Sequence, residues 1–318
     1  MTGSAPMTMR ALRFHTYGEP DEVLRLETVP VPRPGPGRIR VTVHACGLAP
    51  ADWALCRGLH KGELPRGIGI DVSGTVEAVG DGVTDVSVGD VVLGTADWRG
   101  TPTAGASQHA IMDRWTPVPE GLDLVRAAAL PMAVDTAHLH LSLLGMEPGR
   151  TILIHGAGTT IGYAAVQIAL LRGMRVIATA GETYAERLRA FGAEVTGYGA
   201  GMAERVEALS GGPVDLVLDT APVGGALPDL VRIAGGDPKR VLTCGVSGVS
   251  EAAELGVRTS FTEDRSGHAA DALPEFARLA AEGRFDIPVA GTFPVEEWET
   301  AYTISRSNQA HGKLLLLP

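Results

Sequence analysis

The rhythm of apolar positions along this chain changes near Leu124. Before that point, short stretches carry alternating or β-branched patterns, as in Ala11–His15 and Ile39–Ala45. Between them, Pro30, Pro32, Pro34 and Pro36 form an extended spacer hostile to helix. The interior of Gly69–Gly80 alternates toward β structure, with glycines at its turns. Val88–Gly94 reads as a further strand entered through a tight turn. Many short strands punctuated by Gly and Pro predict an all-β, barrel-like unit.

Beyond Leu124 the period lengthens. Arg126–Leu130 and Ala133–Leu144 are rich in Ala and Leu and favour helix. Apolar strands are then expected at Thr151–His155, Arg175–Thr179, Glu194–Val195, Val214–Asp219 and Val241–Cys244. Helices are expected between them at Ile161–Leu171, Tyr184–Phe191, Met202–Leu209 and Leu227–Ala234. Strands this continuously apolar, alternating with helices, predict a parallel sheet covered on both faces. A helix at Leu273–Glu282 and a strand at Lys313–Leu317 follow. No internal repeat or low-complexity segment interrupts the pattern.

At 318 residues the chain is too long for one comfortable core, which predicts two domains. The net charge of −10 comes without a basic block, so nucleic acid is not an expected partner. No apolar run reaches the roughly 20 residues that span a bilayer. Met1–Met9 lacks the charged and apolar regions of a signal peptide, so the cytoplasm is the expected location. Cys46, Cys56 and Cys244 are too few and too scattered for a disulfide framework or a four-cysteine zinc site.

The chemistry concentrates in Thr151–Gly162, which runs strand, glycine turn, helix. Phosphate binding needs backbone N–H donors at close range and a helix N-terminus aimed at the anion. Gly156 permits the tight turn, Gly158 lets the backbone approach a pyrophosphate, and Gly162 lets helix and strand pack closely. Thr159 and Thr160 occupy the turn ahead of Ile161, where their hydroxyls either add donors or crowd the phosphate. The second strand ends at Thr179-Ala180-Gly181 without the acid that an NAD site places there. That favours NADP(H). No Lys or Arg accompanies Thr183 and Tyr184, so NAD(H) stays open.

These residues resemble the medium-chain dehydrogenase/reductase superfamily, in its zinc-free quinone oxidoreductase branch. The resemblance runs over nearly the whole chain: Ala49-Pro-Ala-Asp-Trp53, Gly69–Gly80, Val88–Gly94, Ala127–Pro131 with Thr136-Ala137, the glycine turn with Ala164–Ala169, Asp219, and Gly312-Lys313. It implies a GroES-like β-barrel domain (residues 1–125 and 263–318) beside a Rossmann domain (residues 126–262), with an active-site cleft between them. It also implies NADPH-dependent reduction of a quinone or an α,β-unsaturated carbonyl, a small-molecule substrate and a homodimer. Carried over position by position, Thr136 and Tyr198 resemble cofactor contacts, and Gly181 and Thr183 fall where the family reads the 2′-phosphate. Cys244-Gly245 resembles the segment beside the nicotinamide. The zinc ligands of the related alcohol dehydrogenases would fall at Ala49, Pro50 and Gly69-Ile70-Asp71, which carry neither thiolate nor imidazole, so no zinc is expected.

The expected substrate pocket draws on Ala49, Asp52, Trp53 and Ala54. Asp52 is better suited to capping a helix start than to meeting an enolate, which its charge would repel. Trp53 either walls the pocket or fills core. His60, His109 and His138 are candidate proton donors with a surface or structural alternative, and Cys56 is either reactive or inert packing. No side chain claims the acid role. The pocket departs from the family at Ala49, Ala54 and Cys56, and the turn departs at Thr159 and Thr160. These losses leave a second reading: a redox-silent member of the same fold, acting as a binding protein or in a non-redox cyclisation.

Overall fold

The computed structural model describes residues 7–245, 249–266 and 272–318. The chain divides into two compact units, Met1–Met132 with Leu273–Pro318, and Ala133–Ala272. The first unit holds β1 (Thr8–Phe14), β2 (Leu24–Pro30), β3 (Ile39–Leu48), β4 (Arg66–Gly67), β5 (Asp71–Val79), β6 (Val91–Ala96) and β7 (His109–Pro117). The second holds β8 (Thr151–His155), β9 (Arg175–Thr179), β10 (Glu194–Thr196), β11 (Leu216–Asp219), β12 (Val241–Thr243) and β13 (Arg258–Thr259). The chain then returns to the first unit with β14 (Val289–Pro294) and β15 (Lys313–Leu317).

In the first unit the sheet order is β14-β15-β3-β5-β6-β7, and β7 also pairs with β3. That extra pairing closes β3, β5, β6 and β7 into the GroES-like barrel. Its inward positions recur every second residue, as Ile39, Val41 and Val43 on β3 face Val72, Val76, Val92, Ala110 and Met112 in one apolar cluster. Gly94 sits where an added Cβ would come within 2.2 Å of Arg114 O, so the strands can approach only through a glycine there. A small sheet of order β2-β1-β4 lies in the same unit. Strands β2, β7 and β14 and the helix Trp298–Arg306 are not among the elements expected from sequence; β2 and β14 bury few positions, whereas the helix buries Trp298, Ala301 and Tyr302.

The second unit is a parallel sheet of order β10-β9-β8-β11-β12-β13. Numbered from β8, this is the order 3-2-1-4-5-6 of the Rossmann fold, whose direction reverses between β8 and β11. The β-branched and aliphatic runs of β8, β9 and β11 are buried nearly throughout. Each is covered by helices, as a sheet without a wet face requires.

The unit boundaries differ from the expected 125/126 and 262/263. The short helix Leu124–Ala127 stays with the barrel because Leu124 O accepts from Ser73 Oγ at 2.6 Å, and Met132 N donates to Asp71 Oδ1 at 3.0 Å. That helix also stops short of the expected Arg126–Leu130. The second unit also runs on to Ala272, past the expected 262, and its sheet includes β13, a strand not among those expected, paired with β12.

Candidate functional site

In the second unit the chain leaves β8 at the reversal of strand order and turns at once into the helix Thr160–Leu171. Gly156 has φ +77°, and a Cβ there would lie 2.6 Å from Ala221 N. Only glycine fits that turn on both counts. A Cβ at Gly162 would meet Gly156 O at 2.5 Å and Thr220 Oγ1 at 2.6 Å, so the helix can seat against the strand only with hydrogen at that position. At Gly158 the neighbour is the ring of Tyr184, 3.3 Å from an added Cβ.

The structure separates the two threonines. Thr159 is the N-cap: its Oγ1 accepts from Gly162 N at 3.0 Å, and the same oxygen lies 2.9 Å from Gly156 O and 3.0 Å from Thr220 Oγ1. Its hydroxyl therefore faces into the turn. Thr160 is the first helical residue and is half-buried. The N–H groups of Thr160 and Ile161 have no partner among the described residues, which is the state of a helix N-terminus able to receive an anion. Open N–H groups, a cap satisfied from inside, and three glycines that each exclude a side chain fit the pyrophosphate of a dinucleotide.

A polar row underlies the turn. Thr179 at the end of β9 is fully buried, its Oγ1 2.7 Å from His155 Nδ1 and accepting from Gly156 N at 3.2 Å. Thr220 Oγ1 lies 2.9 Å from both His155 O and Gly156 O. Asp219 accepts from Thr243 Oγ1 at 2.8 Å and Ala221 N at 3.1 Å. Burial lowers the pKa of His155, with the Asp219 charge opposing; burial raises that of Asp219, with the Thr243 bond and His155 opposing. Thr179 thus supports the turn from below. Cys244 N and Sγ both point at Asp219 O, and Gly245 N donates to Thr243 Oγ1 at 3.2 Å. Burial pushes the Cys244 thiol up to about 12, so it stays protonated at neutral pH.

Gly181 caps the next helix, Glu182–Phe191, and a Cβ there would be 3.7 Å from the Tyr198 hydroxyl. The structure therefore brings Gly181 and Tyr198 together, with exposed Thr183 on the same first turn. Tyr198 is 63% exposed, which rules out a core role. Its loop is held by Arg205, whose guanidinium donates to the carbonyls of Gly197, Tyr198 and Ala200. Thr136 is half-buried on the helix Pro131–Leu143 and makes no hydrogen bond to the turn among the described residues.

In the first unit, Ala49–Ala54 form the start of the helix Pro50–Cys56. Two members of the expected pocket are enclosed there, which corrects that expectation. Asp52 is fully buried and accepts from Ala49 N at 2.8 Å, Gly69 N at 2.8 Å and Ile70 N at 3.0 Å. It caps the helix and ties it to the turn before β5. Trp53 is 3% exposed, its Nε1 bonded to Ser305 Oγ at 2.8 Å and its ring 5.0 Å from that of Tyr302. Ala49 and Ala54 are half-buried. Cys56 is a core thiol pushed up to about 12 by burial, and His109 lies 2.9 Å from Glu77.

Sequence reasoning missed the roles of five residues. Lys313 and Asp71 form a sealed ion pair at 2.6 Å, joining positions 242 residues apart. Thr220 and Tyr184 touch the glycine turn, and Arg205 sets the Tyr198 loop. Only Thr220 carried a usable signal: it ends the strand next to β8 at the switch point. The donor chemistry does not fit zinc. Ala49, Pro50 and Ile70 have no donor side chain, Asp71 is spent on Lys313 and Met132 N, and no group of three ligating side chains occurs among the described residues. No helix among the described residues is long and apolar enough to cross a membrane.

Two family models match the chain: the alcohol dehydrogenase GroES-like domain over residues 35–116, and the zinc-binding dehydrogenase over residues 191–316. The quinone oxidoreductase of Sus scrofa is 37% identical over 179 residues, covering 54% of this chain and 53% of that protein. The chain therefore spans about half the length of that relative. A mycocerosic acid synthase-like polyketide synthase of Mycolicibacterium smegmatis is 32% identical over 322 residues, 93% of this chain but 15% of the synthase. The quinone oxidoreductase structure from Coxiella burnetii superposes with a TM-score of 0.80 at 26% identity, covering 98% of this chain and all of that one. The barrel, the parallel sheet with its glycine turn, and these likenesses agree: the chain belongs to the medium-chain dehydrogenase/reductase superfamily, whose oxidoreductases use a nicotinamide cofactor.

Proposed function

We propose that this chain is a zinc-independent, NADPH-dependent reductase of a quinone or an α,β-unsaturated carbonyl. The observation that carries the reading is the inward hydroxyl of Thr159, which caps the helix and leaves the N–H groups of Thr160 and Ile161 for a pyrophosphate. When bound, a reduced nicotinamide supplies a hydride, two electrons and one proton, to the acceptor carbonyl compound. The chain's own residues bind and orient. Gly156, Gly158 and Gly162 admit the pyrophosphate, and Gly181, Thr183 and Tyr198 form the corner for the adenosine ribose. No acid stands at Ala180-Gly181, which supports NADP(H) over NAD(H). Burial keeps the three cysteines as thiols, so none serves as a nucleophile, and the second proton comes from solvent. Zinc independence is supported by the missing ligands at Ala49, Pro50 and Ile70. The Sus scrofa relative supports a quinone acceptor, and the polyketide synthase match supports an acyl-chain enone. A small-molecule substrate, a homodimer and a cytoplasmic location belong to the same reading.

The redox-silent alternative draws on the pocket departures at Ala49, Ala54 and Cys56 and on the two threonines of the turn; the inward hydroxyl of Thr159 supports the reductase reading over it. The test is a titration of the purified chain with NADPH and with NADH, followed by nicotinamide fluorescence, and then addition of quinones and enones. NADPH is expected to bind about tenfold more tightly than NADH and to be oxidised on addition of acceptor. Gly158→Val, which drives a branched side chain against Tyr184, is expected to abolish the binding. Absence of binding at millimolar NADPH or NADH overturns the proposal.

A further inference from the structure

Two guanidinium groups in the first unit lie against one indole. Arg99 Cζ is 4.3 Å and Arg66 Cζ 5.6 Å from the Trp98 ring centroid. The His60 ring is 5.8 Å from the same indole, and Lys61 Nζ is 5.7 Å from the ring of Tyr17. The Tyr17 hydroxyl is bonded to Gly62, and that bond, with Arg66 and Lys61 beside it, holds its pKa below the ordinary value. Arg66 is 3% exposed and donates to the carbonyls of His60 at 2.6 Å and Trp98 at 3.4 Å.

Among the described residues, Lys61, Arg66 and Arg99 have no carboxylate partner. Arg38, Arg40, Arg57, Arg175, Arg232 and Arg258 each hold a carboxylate. Asp97, beside Trp98 in sequence, holds Arg38 and accepts from Gly100 N, and Glu19 holds Arg57 at the start of the segment. Glu63, on the same loop, points to solvent.

Cations gathered on one ring repel one another, and the ring quadrupole offsets that only in part. A buried guanidinium satisfied by carbonyls alone still lacks its counter-ion. An oxyanion entering between Arg66 and Arg99 relieves both costs. A guanidinium fork pairs with two oxygens of a carboxylate or sulfonate, and its own flat face stacks on the conjugated ring that carries the anion.

We infer that residues 57–66 together with Trp98-Arg99 form a recognition site for an oxyanion carried on a planar, conjugated substrate. The substrate side of this inference rests on the reductase reading above. The preferred acceptor is then a quinone or enone bearing a carboxylate or sulfonate, and the neutral parent compound is a poorer ligand.

Calorimetric titration without cofactor tests this, using anthraquinone-2-sulfonate, anthraquinone-2-carboxylate and the neutral 2-(hydroxymethyl)anthraquinone. Wild type is expected to bind both anions about tenfold more tightly than the neutral probe at low salt, with the ratio shrinking as salt screens it. Arg99→Gln, at an exposed position, is expected to bring the ratio to about one. Arg284→Gln, which removes a surface arginine paired with Glu282, is expected to leave it unchanged. Equal affinities in wild type, no binding of any probe, or a ratio that survives Arg99→Gln overturns the inference. A binding ratio that persists while NADPH is never oxidised refutes the reductase reading and leaves this site standing.

Discussion

Lys313 Nζ donates to Asp71 Oδ2 at 2.6 Å, with 3% and 1% of the two side chains exposed. Burial raises the Asp71 pKa and the Lys313 charge pulls it back. Removing one partner of such a pair strands the other, at a cost of about 3–5 kcal/mol. Lys313→Met is therefore expected to destabilise the first unit by about that much, and Asp71→Leu with Lys313→Met to recover most of the loss. Trp53, Trp98, Trp115 and Trp298 all lie in the first unit, so their emission during urea unfolding reports on it alone. A single-variant loss below about 1 kcal/mol would contradict the account.

Asp52 gives a pH dependence with a definite sign. Burial raises its pKa from 3.8 to about 6, against the opposing N–H bond from Ala49 and the charge of Lys313. Between those values the folded chain keeps a proton that the unfolded chain has released. The stabilisation is complete below 3.8 and is lost as pH rises through about 6. At about 1.4 kcal/mol for each pKa unit, the fall is on the order of 3 kcal/mol. Urea unfolding at pH 4 and pH 7, in wild type and in Asp52→Asn, isolates this contribution. The fall is expected in wild type and should shrink by that amount in the variant; identical falls would refute it.

Thr159 and Thr160 should respond differently to the loss of a hydroxyl. Thr159→Ala leaves Gly162 N without its cap and is expected to cost about 1 kcal/mol. Thr159→Ser keeps the cap and most of the stability. Thr160→Ala, which removes a hydroxyl with no hydrogen bond among the described residues, should stay within about 0.5 kcal/mol. Scanning calorimetry of the three variants checks this, and equal losses in the two alanine variants would contradict the assignment of Thr159 as the cap.

The parallel sheet was legible because its strands are buried on both faces, so their apolar runs stand out without knowledge of their neighbours. Thr151–His155 and Arg175–Thr179 fall at the expected residues, as does Lys313–Leu317 in the first unit. The first unit was less legible, since β2 and β14 bury few positions. At the candidate site the glycines announced themselves by spacing alone. Asp52 was legible as a helix cap, but its further bonds from Gly69 N and Ile70 N were not, and the choice of core over pocket wall for Trp53 depends on the Ser305 hydroxyl that meets it. The Lys313–Asp71 pair has no local signature.

Strand β15 lies between β14 and β3, parallel to the first and antiparallel to the second, and it begins with Lys313. During synthesis the ribosome therefore delivers the whole Ala133–Ala272 unit before the barrel receives this strand. Until then, the free edge of β3 is a sticky template for a neighbouring nascent chain, and Asp71 waits without its cation. The Rossmann unit is contiguous and can mature early, whereas the Cys46–Leu48 end of β3 waits for a late arrival. Aggregation of stalled or prematurely terminated products should thus begin at β3.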